Sequence, residues 1–417
     1  MLKKIPTRQV RLGMHLHGLE GAWIEHPFWK TRFVIADATD LRKLRDSAVR
    51  EVWIDVSKGL DVAEDHGLPS PPTAPSAQPA ARAVAAPAAA SSPAPTPLPA
   101  TQPMAAELEQ AAAICQRSKK AVMSMFREAR LGNAVDAESC LPLVEEISSS
   151  VLRNPGAMVS LARLKTQDEY TYMHSVAVCA LMVALGREAG MDADACRAVG
   201  LAGLMHDMGK AQMPLEILNK PGKLTDEEFA IIRSHPERGH ELLVEGRGAT
   251  AEVLDVCLHH HERVDGTGYP HRLDADALTQ VARMGAICDV YDAITSNRPY
   301  KKGWDPAESI ARMASWKGHF DPQLFKLFVK SLGIYPVGSL VKLQSGRLAV
   351  VVEQNPASLT TPMVKVFFST KSNLPLPVQR LDLQSGTDRI VGRESVSQWG
   401  FKHLDTLWFD QAPLRPH

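Results

Sequence analysis

The 417-residue sequence predicts a mainly α-helical protein, with a small α+β module ahead of the helices and a small β appendage after them. Three observations carry this. From residue 105 to 334 apolar side chains recur at helical spacing, segment after segment. From 335 to 417 the apolar period falls to two. Between 65 and 104 the composition collapses to Pro, Ala, Ser and Thr.

Residues 1–64 hold two β-rich runs, Phe33-Val34-Ile35 and Glu51 to Val56, on either side of a charged helical pattern from Asp40 to Arg45. The 65–104 stretch contains 11 of the 29 prolines, so neither a helix nor a strand ladder persists there and a semi-extended linker is expected. Within 105–334, Ala195 to Met205 is nearly apolar on every face, which implies a buried helix. Thr225 with Glu228 three residues on predicts a capping box. The Pro221-Gly222 dipeptide before it predicts a turn. In 335–417 the runs Ser339 to Leu343, Leu348 to Val352 and Met363 to Phe368 read as strands, the first two joined at Ser345-Gly346.

Bulk charge excludes one class of function. The 47 basic residues balance the 47 acidic ones, so nothing in the composition supports binding a nucleic acid polymer. Six cysteines are scattered without a CxxC pair, which fits a reducing cytoplasm. The N-terminus carries no apolar signal core, and no window approaches the ~18 continuous apolar residues of a membrane span.

Chemistry concentrates in two packets. His206-Asp207 closes the apolar helix just before Gly209-Lys210, and His260-His261 precedes a loop rich in Gly and Pro, Asp265 to Pro270. Each imidazole has two polar nitrogens that are costly to bury without partners, and a cation supplies the missing partner. Successive helical side chains point ~100° apart, so His206 and Asp207 share an ion only at the helix end, whereas the two oxygens of Asp207 can bridge a pair. By the same reasoning the rings of His260 and His261 diverge and reach different metals of a pair ~3.5–4 Å apart. His235, His174 and Asp289 are further candidates. Taken singly, each also reads as an ordinary hydrogen-bonded residue of the core or surface; only the conjunction points to metal.

The two packets resemble the HD-GYP family of HD-domain phosphohydrolases. His206-Asp207-Met208-Gly209-Lys210 is similar to the HD signature with its GK extension, and the residues from His260 to Pro270 match the family's HHExxDGxGYP loop. Asp289 to Lys301 resembles the helix that ends in RPYK, and the likeness runs from about 140 to 330. The resemblance implies an all-helical HD-type domain that hydrolyses the bacterial second messenger cyclic di-GMP to linear pGpG, or onward to GMP. It carries over His174, His206, Asp207, His235, His260, His261 and Asp289 as metal ligands. The position of the glutamate that adds a third metal in some members is Tyr170, with Glu169 beside it, so two divalent ions are expected, with iron or manganese suited to the ligands.

On this reading paired cations activate a hydroxide near neutral pH, with Asp207 central to catalysis and Lys210 an extra cation on the scissile phosphate. The resemblance places Arg298 and Lys301 against the nucleotide; without it they read as a solvated basic patch. Tyr269 belongs to the substrate pocket wall, and the GYP loop is a surface for other signalling proteins. Pro214 to Glu228 is a candidate lid. The alternative is a catalytically weak cyclic di-GMP receptor or interaction module. What the N-terminal module senses, and whether the chain forms a homo-oligomer, the residues leave open.

Overall fold

The computed structural model describes residues 2–19, 33–46, 50–61, 102–164, 170–220, 222–296, 303–401 and 404–409. Nearly all of the expected linker, together with Glu169, Pro221, Arg298 and Lys301, lies outside them. The chain forms two compact units, residues 1–94 and 95–417.

The first unit contains β1 (Leu2–Pro6), β2 (His15–Leu19), β3 (Phe33–Val34), α1 (Ala38–Asp46) and β4 (Glu51–Asp55). Its sheet is antiparallel in the order β1-β4-β2-β3. Side chains alternate across β4: Val52 and Ile54 face inward with Ile5, Leu16 and Leu44, while Trp53 faces out. Strands β1 and β2 were not legible in the sequence, since their cores hold one or two apolar residues among Lys and His.

The second unit is built on helices α2 (Met104–Arg130), α3 (Leu141–Arg153), α4 (Pro155–Arg163), α5 (Tyr170–Glu188), α6 (Ala193–Met205), α7 (Leu215–Leu218), α8 (Asp226–Arg233), α9 (His235–Glu245), α10 (Ala251–His259), α11 (Gln280–Thr295), α12 (Pro306–Ser315) and α13 (Pro322–Leu332). Side-chain caps start many of them, including Asn154, Asp192, Thr250, Thr279, Asp305 and Asp321. The capping box at Thr225 and Glu228 forms as expected.

Helix α5 is buried continuously from Met173 to Leu185, which makes it the central post of the domain. Helix α6 packs on it at glycine distance, because a Cβ at Gly203 would lie 2.9 Å from the Val178 carbonyl oxygen. Helix α11 packs on α5 as well, and Phe328 of α13, fully buried, meets Tyr291 of α11 edge-on at 5.1 Å.

The C-terminal strands β5 (Leu340–Leu343), β6 (Arg347–Glu353), β7 (Met363–Ser369), β8 (Leu374–Asp382) and β9 (Ile390–Arg393), followed by α14 (Val396–Trp399), form an antiparallel sheet in the order β8-β7-β6-β5-β9. Both faces of β6 are covered. Leu348, Val350 and Val352 join the helical core, while Ala349 and Val351 join a smaller core on the other side. Strand β8 escaped the period-two reading because Pro375 and Pro377 interrupt it; it survives as an edge strand, where a missing N–H costs no ladder bond.

One carboxylate outside the histidine packets has no exposed surface. Glu107 of α2 accepts from Arg153 Nε at 2.6 Å and Nη2 at 2.8 Å, and from Ser150 Oγ at 2.7 Å, which fastens α2 to the end of α3. Arg153→Ala strands that carboxylate, and urea denaturation should show a loss of about 3–5 kcal/mol. A loss under about 1 kcal/mol would mean that Glu107 is held by Ser150 alone.

Candidate metal centre

The end of α6 sets the centre. Its last helical residue is Met205, His206 keeps helical angles, and Asp207 turns away at φ −102° and ψ 13° into a single 3-10 turn, Met208–Gln212. Because the helix stops there, His206 and Asp207 converge: His206 Nε2 lies 3.3 Å from Asp207 Oδ2. His174, midway into the N-terminal half of α5, brings its Nε2 within 3.5 Å of the same oxygen. His174, His206 and Asp207 thus form one group of buried donor atoms, all within 4.8 Å of one another.

The other Asp207 oxygen faces a second group. Asp207 Oδ1 lies 3.2 Å from His235 Nε2 and 3.8 Å from His260 Nε2. His235, His260 and His261 make up this group. Asp289 of α11 also spans the two, with Oδ1 2.9 Å from His174 Nε2 and Oδ2 3.5 Å from His261 Nδ1. All seven ligands expected from the sequence therefore meet. One expectation about their division is corrected: His260 and His261 do not diverge to separate groups. Helix α10 ends at His259, and in the turn that follows, the two rings lie 4.1 Å apart at 46°.

The backbone decides which ring nitrogens carry protons. Nδ1–H of His206 donates to the Gly203 carbonyl at 2.7 Å, that of His235 to Ile232 at 2.6 Å, and that of His260 to Val256 and Cys257 at 3.0 Å. His174 Nδ1 donates to Asp292 Oδ2 at 2.5 Å. In the rings of His206, His235 and His260 the proton is thereby committed outward and Nε2 points inward as a lone pair, whereas His174 sits between two carboxylates, Asp292 and, 2.9 Å from Nε2, Asp289; burial opposes its charge, but their hydrogen bonds raise its pKa. Lone pairs then face one another, His235 to His260 at 3.2 Å, and the His206 lone pair lies 3.3 Å from His174 Nε2. Asp207 Oδ1 is buried without a hydrogen bond, since the neighbouring His235 nitrogen has no proton to give. Donors turned on donors in a dry site repel unless a cation stands between them, so the residues present fit metal ions.

Electrostatics agree. Burial alone would raise the Asp207 carboxyl, but Lys210, whose Nζ lies 2.5 Å from Oδ2, and the His206 ring outweigh it and hold it well below the carboxylate range. Burial likewise opposes charge on Asp289, and the His174 hydrogen bond overcomes it. Burial and neighbouring rings press His260 well below its ordinary value, and burial, opposed by Asp289 and aided by His235, takes His261 to about 3. These rings stay neutral, as ligands must. Three buried carboxylates, Asp207, Asp289 and Asp292, line the centre, and the Lys210 ammonium pairs with the first of them.

Around this core, Tyr269 stacks on His261 at 4.7 Å, and the Arg233 guanidinium lies over the tyrosine ring at 4.6 Å. Arg233 ends α8, a helix with no buried residue. Glu262 anchors the loop by accepting from the His271 and Leu273 main-chain N–H groups at 2.6 and 3.2 Å. Arg298 and Lys301 lie outside the described residues.

Sequence reasoning missed Asp292 as the partner that orients His174. Its signal was available: it sits three residues after Asp289, hence on the same helix face, in an apolar run. Asp292→Asn should weaken metal binding about 10–100-fold in chelator competition, and unchanged affinity would mean that His174 is positioned otherwise. Gly209 is required for a different reason. A Cβ there would lie 1.9 Å from the His235 carbonyl oxygen and 2.5 Å from Gly239 N, backbone that cannot rotate away. Gly209→Ala should therefore push α9 outward, lowering both melting temperature and metal content; wild-type values for both would refute this contact.

Helices enclosing a histidine-aspartate centre of this kind define an HD-domain protein. The HD domain family matches residues 152–324, and a domain of unknown function, DUF3391, matches residues 2–140. The chain is 55% identical over 411 residues to the cyclic di-GMP phosphodiesterase PA4108 of Pseudomonas aeruginosa, covering 98% of this chain and 96% of that protein. It is 38% identical over 141 residues to the cyclic di-GMP phosphodiesterase response regulator RpfG of Xanthomonas campestris, covering 33% and 37% of the two chains. With 3'3'-cGAMP-specific phosphodiesterase 1 of Vibrio cholerae it shares 35% identity over 190 residues, 45% and 42% of the two chains. The chain belongs to the HD-GYP family.

Proposed function

We propose that this protein is a phosphodiesterase that opens cyclic di-GMP to linear pGpG, using two divalent ions, iron or manganese. The observation that carries this is Asp207, one carboxylate whose two oxygens face two separate histidine groups. The relative that matches nearly the whole chain is a cyclic di-GMP phosphodiesterase, which supports the choice of substrate. Mixed imidazole and carboxylate donors suit iron and manganese.

His174, His206 and Asp207 would hold one ion, and His235, His260 and His261 with Asp207 the other, Asp289 serving both. Such ions, when bound, supply Lewis acidity at the phosphate and bring the pKa of water from 15.7 to about 7. The chain's own residues do the rest. Lys210 neutralises the Asp207 carboxylate and is assigned to the scissile phosphate as an extra cation. The buried rings exclude bulk water, which strengthens each charge interaction within the site. Tyr269, stacked on His261 with Arg233 over its ring, is assigned to the wall of the substrate pocket. Arg298 and Lys301 are assigned to the nucleotide phosphates or guanine edges.

The test is turnover of cyclic di-GMP, 3'3'-cGAMP and cyclic di-AMP by the full chain reconstituted with manganese or ferrous iron. Cyclic di-GMP should be cleaved fastest and pGpG should accumulate. Asp207→Ala should lose metal and turnover together. Tight binding of cyclic di-GMP without turnover under either metal would instead make the protein a receptor.

A further inference from the structure

A second histidine cluster lies outside the centre just described. His259 is the last residue of α10, and its Nδ1–H donates to Asp255 Oδ1 at 2.7 Å. Asp255 is buried, and its other oxygen accepts from Thr279 Oγ1. The carboxylate thus fixes the His259 tautomer and turns Nε2 outward as a lone pair, the arrangement by which Asp292 orients His174 inside the centre. Facing it at 3.3 Å is Nδ1 of His271, an exposed residue immediately after the GYP loop. The ring centroids are 5.5 Å apart at 61°. This nitrogen-to-nitrogen distance equals the one between His206 and His174.

We propose that His259 Nε2 and His271 Nδ1 form an outer site for a borderline transition-metal cation, zinc or nickel, with water in the remaining positions. Imidazole pairs oriented by a carboxylate select such ions over magnesium or calcium, which prefer oxygen. Partly buried His240 of α9 is near enough that, after burial, the His259 and His271 rings help press its pKa down, so a third imidazole flanks the pair. No residue of this site belongs to the two inner groups.

The outer ion would join two segments that the chain otherwise links through Glu262, which accepts from the His271 main-chain N–H. One segment is the end of α10, which runs directly into His260 and His261. The other is the exit of the loop that carries Tyr269. A bridge between them staples the loop to the helix that presents ligands to the inner centre.

Nickel uptake by equilibrium dialysis tests this on the full chain preloaded with manganese, both metals being counted, beside His271→Ala and Asp255→Asn. The native chain should take up one nickel more than His271→Ala, with manganese retained in both and with a rise in melting temperature absent from the variant. Asp255→Asn should bind that nickel about 10–100-fold more weakly. The exposed position of His271 lets the alanine variant fold, which circular dichroism checks. Equal uptake by native and variant chains, nickel gained only as manganese is lost, or no uptake at all would overturn the proposal and leave the contact as a hydrogen bond. The reading is the difference between chains, so it stands apart from whether cyclic di-GMP is hydrolysed.

Discussion

The architecture of the helical unit answers to one demand, the enclosure of Asp207. A carboxylate with no exposed surface is costly unless opposite charge and donors surround it, and here Lys210 meets one oxygen while the inward nitrogens of the neighbouring histidines form with it a donor set for cations. No single helix can furnish those neighbours. They come from α5, the end of α6, the start of α9, the end of α10 and the middle of α11, so the ion site and the tertiary fold are one constraint. That is why glycines stand where backbones touch: Gly203 admits α6 to α5, and Gly209 admits the 3-10 turn to α9.

Side-chain tautomers extend the same logic outward. In an α-helix the carbonyls of the last turn tend to lack intrahelical partners, and His206 and His260, placed at two helix C-termini, donate to carbonyls of that turn, His260 sharing Val256 with its own main-chain N–H. Helix ends therefore do two things at once here: they satisfy their own carbonyls and aim ring nitrogens at a common point. The His235 ring, at a helix start, reaches back to Ile232 of the preceding helix with the same result.

How much of this was legible before the structure follows from what periodicity can and cannot carry. Ligand identities stood out because His206-Asp207 and His260-His261 sit beside apolar or glycine-rich sequence, where polar rings need a reason. His174 and His235 were weaker, each a lone histidine until the fold placed it against Asp207. Asp292 was overlooked because a second buried carboxylate on one helix resembles an ordinary ion-pair residue until its partner is known. The division of His260 and His261 was misjudged since helical divergence was assumed past the point where α10 stops. Strand β8 hid behind its prolines, and the covering of β6 on both faces is a tertiary fact, although its unbroken Leu348 to Val352 run is the pattern such burial requires.

Helix α8 has a consequence of another kind. It is stabilised by its capping box and by the Lys220 ion pair to Glu228, while Phe229 and Ile231 remain exposed and no side chain enters the core. Its side chains therefore add little to the packing of the domain. Yet the Ile232 carbonyl of this same helix accepts the His235 Nδ1–H, so a surface helix that contributes nothing to the core still fixes the tautomer of one ring in the centre.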